Sequence, residues 1–400
     1  MTRLSHRIRT VPASPTFAIK AKAQSLAAAG HTIVDLSAGE PDFLPPIGAS
    51  EAAIAAVRSG AHRYAPVAGM PALREAVAAM YRDQHGLRVS ASQVLVTHGG
   101  KQALYNLCQT LLDPGDEAVV LTPAWVSYLP QIELAGGVPV CVPCDPAAGF
   151  QPDPERVAAA MTERTRFVLL NSPANPTGAV IDPERLAAID AAAKRVGAVV
   201  ISDELYRAIT FESEAICHPT LDDPALERTV IVDAVSKTWA MTGWRVGFML
   251  GPKDLIDAAA KLQGHCTSGV CRINEAAALA ALTGPQDFLA PVVAGLRDRR
   301  DALVRGLAGI DGITLDVVPS GAFYLFPRVD ELFGRRTPNG AVLTTGEDVA
   351  AALLELGGVA TVPGEGFGEG RCVRMSYATS LSQINDAVTR LAEAVAQLKG

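Results

Sequence analysis

The chain lacks the features that mark several classes of protein. Basic residues are not in excess, since 35 Lys and Arg stand against 42 Asp and Glu and the formal net charge is −7, so there is no electrostatic footprint for nucleic acid. No apolar run approaches the ~18 residues of a membrane-spanning helix. The basic N-terminus has neither the apolar core nor the cleavage site of a signal peptide. The sequence predicts a soluble, cytoplasmic protein without membrane or nucleic-acid partners.

Cysteine is scarce and shows no disulfide pattern. The 400 residues contain seven cysteines, an odd number scattered widely, which argues against a disulfide framework. Cys141 and Cys144 have the spacing of a metal or redox pair, but no second pair follows at the distance of a zinc site. Cys266 and Cys271 are too far apart for the usual zinc knuckle. We expect structural thiols and no metal.

The sequence does contain a regular alternation of apolar runs and Ala-rich segments. Apolar residues make up 49% of the chain and charged residues 19%, as in a globular protein. In residues 46–285, short β-branched runs alternate with helical patterns, which predicts an α/β large domain: a mostly parallel sheet flanked by helices. Residues 286–400 combine a long amphipathic helix with short strands, and with residues 1–45 they are predicted to form a smaller α+β domain.

Polar residues follow the predicted strands at the point where each strand ends. In open α/β sheets, ligands bind in the crevice outside the carboxyl ends of the strands. We therefore expect one crevice to be lined by residues 99–101, Trp125, residues 171–175, residues 203–206 and residues 236–237.

Lys237 is the strongest candidate for covalent chemistry in that crevice. A lysine amine attacks a carbonyl only when it is deprotonated, which requires an apolar site or a neighbouring cation. Arg245 follows eight residues later and Ser236 directly precedes the lysine. A cofactor with an aldehyde and a phosphate would use all three residues. A Ser-Lys pair taken alone is more often an exposed surface lysine.

Asp203 and Tyr206 suit the ring of such a cofactor. Asp203 ends a strongly apolar run, where a carboxylate needs a cationic partner, and a protonated pyridine nitrogen is one. Tyr206 follows three residues later and could bind a ring hydroxyl. The alternative is a helix N-cap with a packed tyrosine.

Three further positions have both a structural and a functional interpretation. Asn175 lies in a tight Asn-Pro loop, where it could serve the turn alone or contact the ring oxygen. Gly99 and Gly100 open a helix whose N–H groups could bind phosphate. Trp125 could belong to the core or stack on a planar ring.

Together these residues resemble the fold-type I pyridoxal-phosphate aminotransferases, the aspartate/aromatic aminotransferase superfamily. The similar blocks cover nearly the whole chain in the same order, and include "SAGEPDF", "YAPVAGMPALREAV", "GGKQAL", "TPAWVSY", "NSPANPTG", "SDELY", "SKTWAMTGWRVG", "PSGAFY" and "VRMSYA". The resemblance implies pyridoxal 5'-phosphate as the cofactor and the fold-type I architecture of the family.

The resemblance also implies roles for individual residues. Lys237 would bind the cofactor as a Schiff base and then move the Cα proton, and Asp203 would keep the pyridine nitrogen protonated. The other cofactor contacts would come from Tyr206 and Asn175 at the phenolic oxygen, Trp125 on the ring, and Gly99, Gly100, Lys101, Ser236 and Arg245 around the phosphate. Tyr64 matches a tyrosine that reaches the phosphate in the neighbouring subunit, which implies a homodimer with shared active sites.

The substrate side of the site follows from the same resemblance. Arg374 would bind the α-carboxylate with its guanidinium fork, and Gly39, Trp125 and Asn175 would line the same pocket. Lys101 would meet a distal carboxylate, which favours aspartate or glutamate with a 2-oxo acid. Aromatic amino acids are an alternative, since residues 14–17 could close over an apolar side chain.

Some positions depart from the family pattern, and other reactions share the fold. Glu275 stands where relatives commonly have glutamine, and Arg272 and Trp239 are candidates to alter the pocket. A pyridoxal-phosphate lyase or synthase is the alternative enzyme. A third interpretation, the effector domain of a transcription regulator, would need a DNA-binding domain for which we expect no room, since the chain begins at the small-domain segment.

Overall fold

The computed structural model describes residues 2–11, 15–212, 217–218 and 222–400. Its helices are α1 His6–Thr10, α2 Pro15–Ala28, α3 Ile47–Arg58, α4 Pro71–His85, α5 Gly100–Leu111, α6 Tyr128–Leu134, α7 Pro154–Ala160, α8 Pro183–Val196, α9 Val235–Thr238, α10 Lys253–Cys266, α11 Arg272–Thr283, α12 Leu289–Leu307, α13 Gly346–Gly357 and α14 Leu381–Ala396. Its strands are β1 Val34–Asp35, β2 Val94–Thr97, β3 Glu117–Thr122, β4 Val138–Pro143, β5 Thr165–Asn171, β6 Val199–Asp203, β7 Thr229–Ala234, β8 Gly247–Leu250, β9 Tyr324–Leu325, β10 Val359–Ala360, β11 Val362–Pro363 and β12 Val373–Ser376.

A seven-stranded sheet with the order β2-β8-β7-β6-β5-β3-β4 forms the centre of the molecule. Strands β3 to β7 pair in parallel, and β8 runs antiparallel to both of its neighbours. Strands β7 and β8 are buried along their whole length, because helices cover both faces. Helices α5 and α10 contribute to one apolar core and α7 and α8 to another. The predicted α/β class is confirmed.

Helix α8 shows why such local predictions succeed. Pro183 occupies its first turn after Asp182, and Gly197 caps its C-terminus in the left-handed conformation with φ 73°. Proline suits the first helical position because its missing N–H has no partner there. Glycine suits the cap because it has no Cβ to clash. The helix begins and ends at the residues that the sequence indicates.

The C-terminal part has its own core and two small sheets. Strands β11, β12 and β9 form one sheet, while β1 near the N-terminus pairs in parallel with β10. Residues of α12, α13 and α14 share one apolar cluster with residues of β1, β9, β10 and β12. The N-terminal segment is thereby attached to the C-terminal part, and the proposed division at residues 46 and 286 stays a prediction.

One predicted strand is much shorter than the sequence suggests. The run "SGAFYLFPRV" forms only the two-residue strand β9, because Ala322 has a positive φ of 56° and the chain turns there. Beyond β9, Arg328 makes only isolated bridges to Thr314 and Cys372.

The described part of the chain adds two negative observations. None of its helices has the length and apolar content needed to cross a membrane. Within the same residues, no group of three or more His, Cys, Asp or Glu side chains could hold a metal ion. Cys141 lies exposed in β4 and Cys144 is buried just beyond it, and no disulfide joins cysteines of the described residues.

Candidate active site

A cleft of about 520 Å³ lies where the carboxyl ends of β5, β6 and β7 meet the first turn of α5. The structure brings to it the predicted residues Gly39, Gly100, Lys101, Trp125, Asn175, Asp203, Tyr206, Ser236, Lys237, Arg245 and Arg374. Gly99 lies directly behind this lining, next to Arg245. Tyr64 does not line the cleft of its own chain, and its side chain is 93% exposed.

Lys237 lies on the short helix α9, directly after β7. Its Nζ donates a hydrogen bond to the carbonyl oxygen of Gly39 at 2.6 Å and lies 5.8 Å from the ring centroid of Tyr206. Burial lowers the pKa of the Lys237 amine to about 8, and Arg374 and Arg245 add to that effect, while Glu40 opposes it. The amine can therefore lose its proton near neutral pH, which a nucleophile or base requires.

Asp203 ends β6 and brings a carboxylate to the floor of the cleft. The hydroxyl of Tyr128 donates to its Oδ2 at 2.6 Å and the backbone N–H of Leu205 to its Oδ1 at 3.3 Å. Burial raises the pKa of Asp203 to about 6, and these two hydrogen bonds oppose the rise. A carboxylate in such a place is stabilised by any cation that enters the cleft.

Arg374, on β12, brings a buried guanidinium to the opposite side. It donates to Asn175 Oδ1 at 3.0 Å and to the carbonyl oxygen of Ser37 at 2.9 Å, and it lies 4.5 Å from the ring centroid of Tyr324. Its Nε has no hydrogen-bond partner in the described residues. A buried guanidinium with a donor to spare fits a carboxylate ligand.

The first turn of α5 and Arg245 form an anion-binding corner. Gly99 has a φ of 77°, and a Cβ placed there would lie 2.5 Å from the Arg245 guanidinium, so only glycine allows this approach. Arg245 is held by the carbonyl oxygens of Thr242 at 2.9 Å and His98 at 3.3 Å. Helix N-terminal N–H groups next to a guanidinium suit a phosphate.

Lys101 and Trp125 form one wall of the cleft. The ammonium of Lys101 lies 4.8 Å from the ring centroid of Trp125, which in turn meets the ring of Tyr128 edge-on at 5.3 Å. Partial burial lowers the pKa of Lys101, and the nearby charge of Arg245 lowers it further. The wall therefore combines an aromatic face with a cation that gains from an anionic ligand.

The structure adds site residues to which the sequence assigns no role. Tyr128 binds Asp203, Tyr324 shares a 2.8 Å hydrogen bond with the Tyr206 hydroxyl, and Glu40 and Thr242 lie in the lining. Tyr128 and Tyr324 stand in the family-like blocks "TPAWVSY" and "PSGAFY", which was the available signal. Glu40 stands in "SAGEPDF", where only Gly39 is predicted to act.

Three residues named for their departure from the family pattern do not line the cleft. Trp239 is buried, donates to Gln286 Oε1 at 2.9 Å and does not line the cleft, and its effect on the pocket stays a prediction. Glu275 accepts a hydrogen bond from the backbone N–H of Met70 at 2.9 Å. Burial raises the pKa of Glu275 to about 7, while Met70 and Arg272 oppose the rise. The side chains of residues 14–17 lie outside what the structure describes.

Fold and cleft together define a class: an α/β enzyme with a buried lysine amine and several further cationic side chains in one cleft. A family model for aminotransferase class I and II matches residues 31–391. The chain belongs to this family and is an amino acid/2-oxo acid transaminase of the fold-type I architecture, as the resemblance predicts.

Named relatives are similar to this chain along nearly its full length. The aspartate aminotransferase of Geobacillus stearothermophilus is 41% identical over 97% of this chain and 98% of its own. The probable aspartate/prephenate aminotransferase of Thermus aquaticus is 43% identical over 99% of this chain and 100% of its own. Among solved structures, aspartate aminotransferase from Thermus thermophilus with maleate has a TM-score of 0.92 at 42% identity, covering 98% of this chain and 100% of that one. The Rhizobium meliloti aspartate aminotransferase has a TM-score of 0.95 at 37% identity, covering 100% of both chains.

Proposed function

We propose that this aminotransferase holds pyridoxal 5'-phosphate in the cleft and exchanges the amino group between a dicarboxylic L-amino acid and a 2-oxo acid. The observation that carries the proposal is the Lys237 amine, whose pKa burial lowers to about 8. It lies in one cleft with the buried carboxylate of Asp203 and the guanidinium groups of Arg245 and Arg374.

The residues present fit the cofactor at both of its ends. Asp203 supplies a buried carboxylate for a protonated ring nitrogen, and Tyr128 and Leu205 hold that carboxylate in place. Arg245 and the first turn of α5 suit the phosphate. When bound, pyridoxal phosphate supplies an electron sink that stabilises negative charge at the substrate Cα.

The chain's own residues would bind, orient and deprotonate the substrate. Arg374 holds the α-carboxylate, and Asn175 fixes the guanidinium through its Oδ1. Lys237 Nζ takes the proton from Cα, since a base with a pKa of about 8 is partly neutral at neutral pH. The hydroxyls of Tyr206 and Tyr324 form a buried pair beside this amine, and Tyr206 with Asn175 would contact the ring oxygen.

The covalent attachment and the reaction type can be tested together. Borohydride reduction followed by peptide mapping should place the pyridoxyl group on Lys237, and Lys237→Ala should lose transamination. An amino acid should yield its oxo acid and the amino form of the cofactor. A pyridoxyl group on another lysine would refute the assignment. Release of ammonia with an eliminated fragment would indicate the lyase alternative.

The preference for dicarboxylic substrates rests on Lys101. Its ammonium lies in the cleft over Trp125 at 4.8 Å from the ring centroid, and the similar proteins named above are described as aspartate or aspartate/prephenate aminotransferases. A hydrogen-bonded ion pair with a distal carboxylate contributes about 1.5–3 kcal/mol.

A substitution at Lys101 separates substrate recognition from other roles of this side chain. Lys101→Ala should lower kcat/KM for aspartate about tenfold or more beyond its effect on alanine, which has no distal carboxylate. Alanine is thus the internal control. Equal losses for both substrates would mean that Lys101 serves the phosphate or the fold.

A homodimer and a cytoplasmic location complete the proposal. Tyr64 is 93% exposed, and Leu44 and Ile47 nearby in sequence are 87% and 74% exposed. Exposed apolar side chains of this size favour contact with another protein. We propose a second copy of the chain as that partner, with Tyr64 reaching its phosphate site.

A further inference from the structure

The charges around the cleft are unevenly distributed. Among the described residues, its lining contains the cationic side chains of Lys101, Lys237, Arg245 and Arg374 but only two acids, Asp203 and Glu40. Asp203 is buried at the floor and bound by Tyr128. Glu40 also lines the cleft but is exposed to solvent.

Two contacts connect Glu40 and its neighbour Gly39 to Lys237 and the loop that follows it. Its Oε2 accepts a hydrogen bond from Thr242 Oγ1 at 3.0 Å, in the loop that follows Lys237. The carbonyl oxygen of the preceding residue, Gly39, accepts the hydrogen bond from Lys237 Nζ at 2.6 Å. Among the charged groups that act on Lys237, Glu40 has the largest effect and raises the pKa of the amine against the larger effect of burial.

An amino donor and a 2-oxo acid differ in the group that approaches Lys237. The nitrogen of an amino donor has to take the position of the lysine nitrogen, and it arrives as an ammonium group. A 2-oxo acid has the same carboxylates but no ammonium. Lys101 and Arg374 attract both substrates through their carboxylates and repel the ammonium of one. The field of Glu40 acts in the opposite direction.

We propose that Glu40 is a specificity-determining residue that attracts the α-ammonium group of the amino donor towards Lys237. This inference rests on the proposed function. Glu40 thereby raises kcat/KM for the half-reaction with the amino acid and does not raise it for the half-reaction with the oxo acid. Thr242 orients the carboxylate for this role.

The test uses a charge-removing variant and a matched control from the same segment. Glu40→Gln keeps a side-chain oxygen for Thr242 and removes the charge. Asp42→Asn removes a charge two residues away, where the carboxylate binds Arg299 at 2.6 Å and does not line the cleft. Both variants would be measured as cofactor-loaded enzymes in the two half-reactions.

We expect Glu40→Gln to lower kcat/KM for aspartate about fivefold, which is the effect of an exposed ion pair of about 1 kcal/mol. The kcat/KM of Glu40→Gln for 2-oxoglutarate should stay unchanged or rise. The fivefold difference should shrink as ionic strength increases, because the carboxylate is exposed to solvent. Asp42→Asn should behave as wild type in both half-reactions.

Equilibrium binding gives a second readout that does not depend on turnover. 2-Methylaspartate carries an ammonium group but has no Cα proton to lose, whereas maleate is a dicarboxylate without nitrogen. Glu40→Gln should raise the Kd of 2-methylaspartate about fivefold and leave that of maleate unchanged.

Several outcomes would overturn the inference. Equal losses for both substrates, or an equal effect of Asp42→Asn, would show that the segment acts only through its structure. No change in Glu40→Gln would exclude the residue. None of these outcomes would contradict the proposed function. Wild-type enzyme that forms no oxo acid from any amino donor would refute the proposed function, and this inference with it.

Discussion

The buried amine of Lys237 should leave a measurable signature in stability before any cofactor is added. The perturbation is Lys237→Met, which replaces the amine by an apolar side chain of similar length. The pKa of Lys237 falls from 10.5 to about 8 in the folded chain. At ~1.4 kcal/mol for each tenfold change in proton affinity, this difference corresponds to about 3–4 kcal/mol in full, of which about 3 kcal/mol is reached by pH 10.5.

The sign of the effect follows from which state binds the proton. Below pH 8 the folded and unfolded chains both carry it, and the folded chain bears the cost of a buried charge. Between pH 8 and 10.5 the folded chain has released the proton while the unfolded chain retains it, so the free energy of unfolding rises with pH. Above this window neither state is charged at Lys237, and the cost is gone.

The assay is urea unfolding of the cofactor-free proteins at fixed chain concentration from pH 7 to 10.5. The wild-type free energy of unfolding minus that of Lys237→Met cancels the other titrating groups. This difference should rise by about 3 kcal/mol across the range. Loss of the Gly39 hydrogen bond shifts the variant by a constant and does not change the slope. If the free energies of unfolding of wild type and Lys237→Met changed in parallel with pH, the lowered pKa of a buried Lys237 amine would be refuted.

Three further predictions concern groups around the lysine. Tyr128→Phe removes a charge-assisted hydrogen bond of about 2 kcal/mol, so the pKa of Asp203 should rise and cofactor affinity should fall about tenfold in a titration; unchanged affinity would contradict this. Arg374→Lys loses the guanidinium fork, so KM should rise about a hundredfold for amino and oxo acids alike, with cofactor content as the control. Mixed dimers of Lys237→Ala and Tyr64→Phe chains should recover part of the activity that each variant lacks, and a fully active monomer in sedimentation would exclude the shared site.

The elements of the fold that local signals define could be predicted from the sequence. Helix α8 begins at Pro183 and ends before Gly197, and both positions follow from backbone geometry within a few residues. Asp203 ends the buried strand β6. The rule that ligands bind beyond such strand ends brings it to the cleft without any long-range information.

The rest of the site depends on contacts between distant parts of the chain. The hydroxyl pair of Tyr206 and Tyr324 joins residues 118 positions apart, and Glu40 meets Thr242 across 202 positions. No periodicity or turn signal encodes such distances. Tyr128 was missed for the same reason, because its role depends on a hydrogen bond to Asp203, 75 positions away.

The same positively charged, buried surroundings lower the pKa of Lys237 and disfavour the ammonium group of an amino donor, which Glu40 attracts. Burial and the nearby guanidinium groups of Arg374 and Arg245 lower the pKa of Lys237, which makes the amine usable as a base. The guanidinium group of Arg374 also disfavours any other cation at that position, including the ammonium of an amino donor. Moving an acid deeper into the cleft would attract the donor but would also raise the pKa of Lys237. A single solvent-exposed carboxylate, held by Thr242, attracts the donor at a distance where its effect on the lysine stays smaller than that of burial.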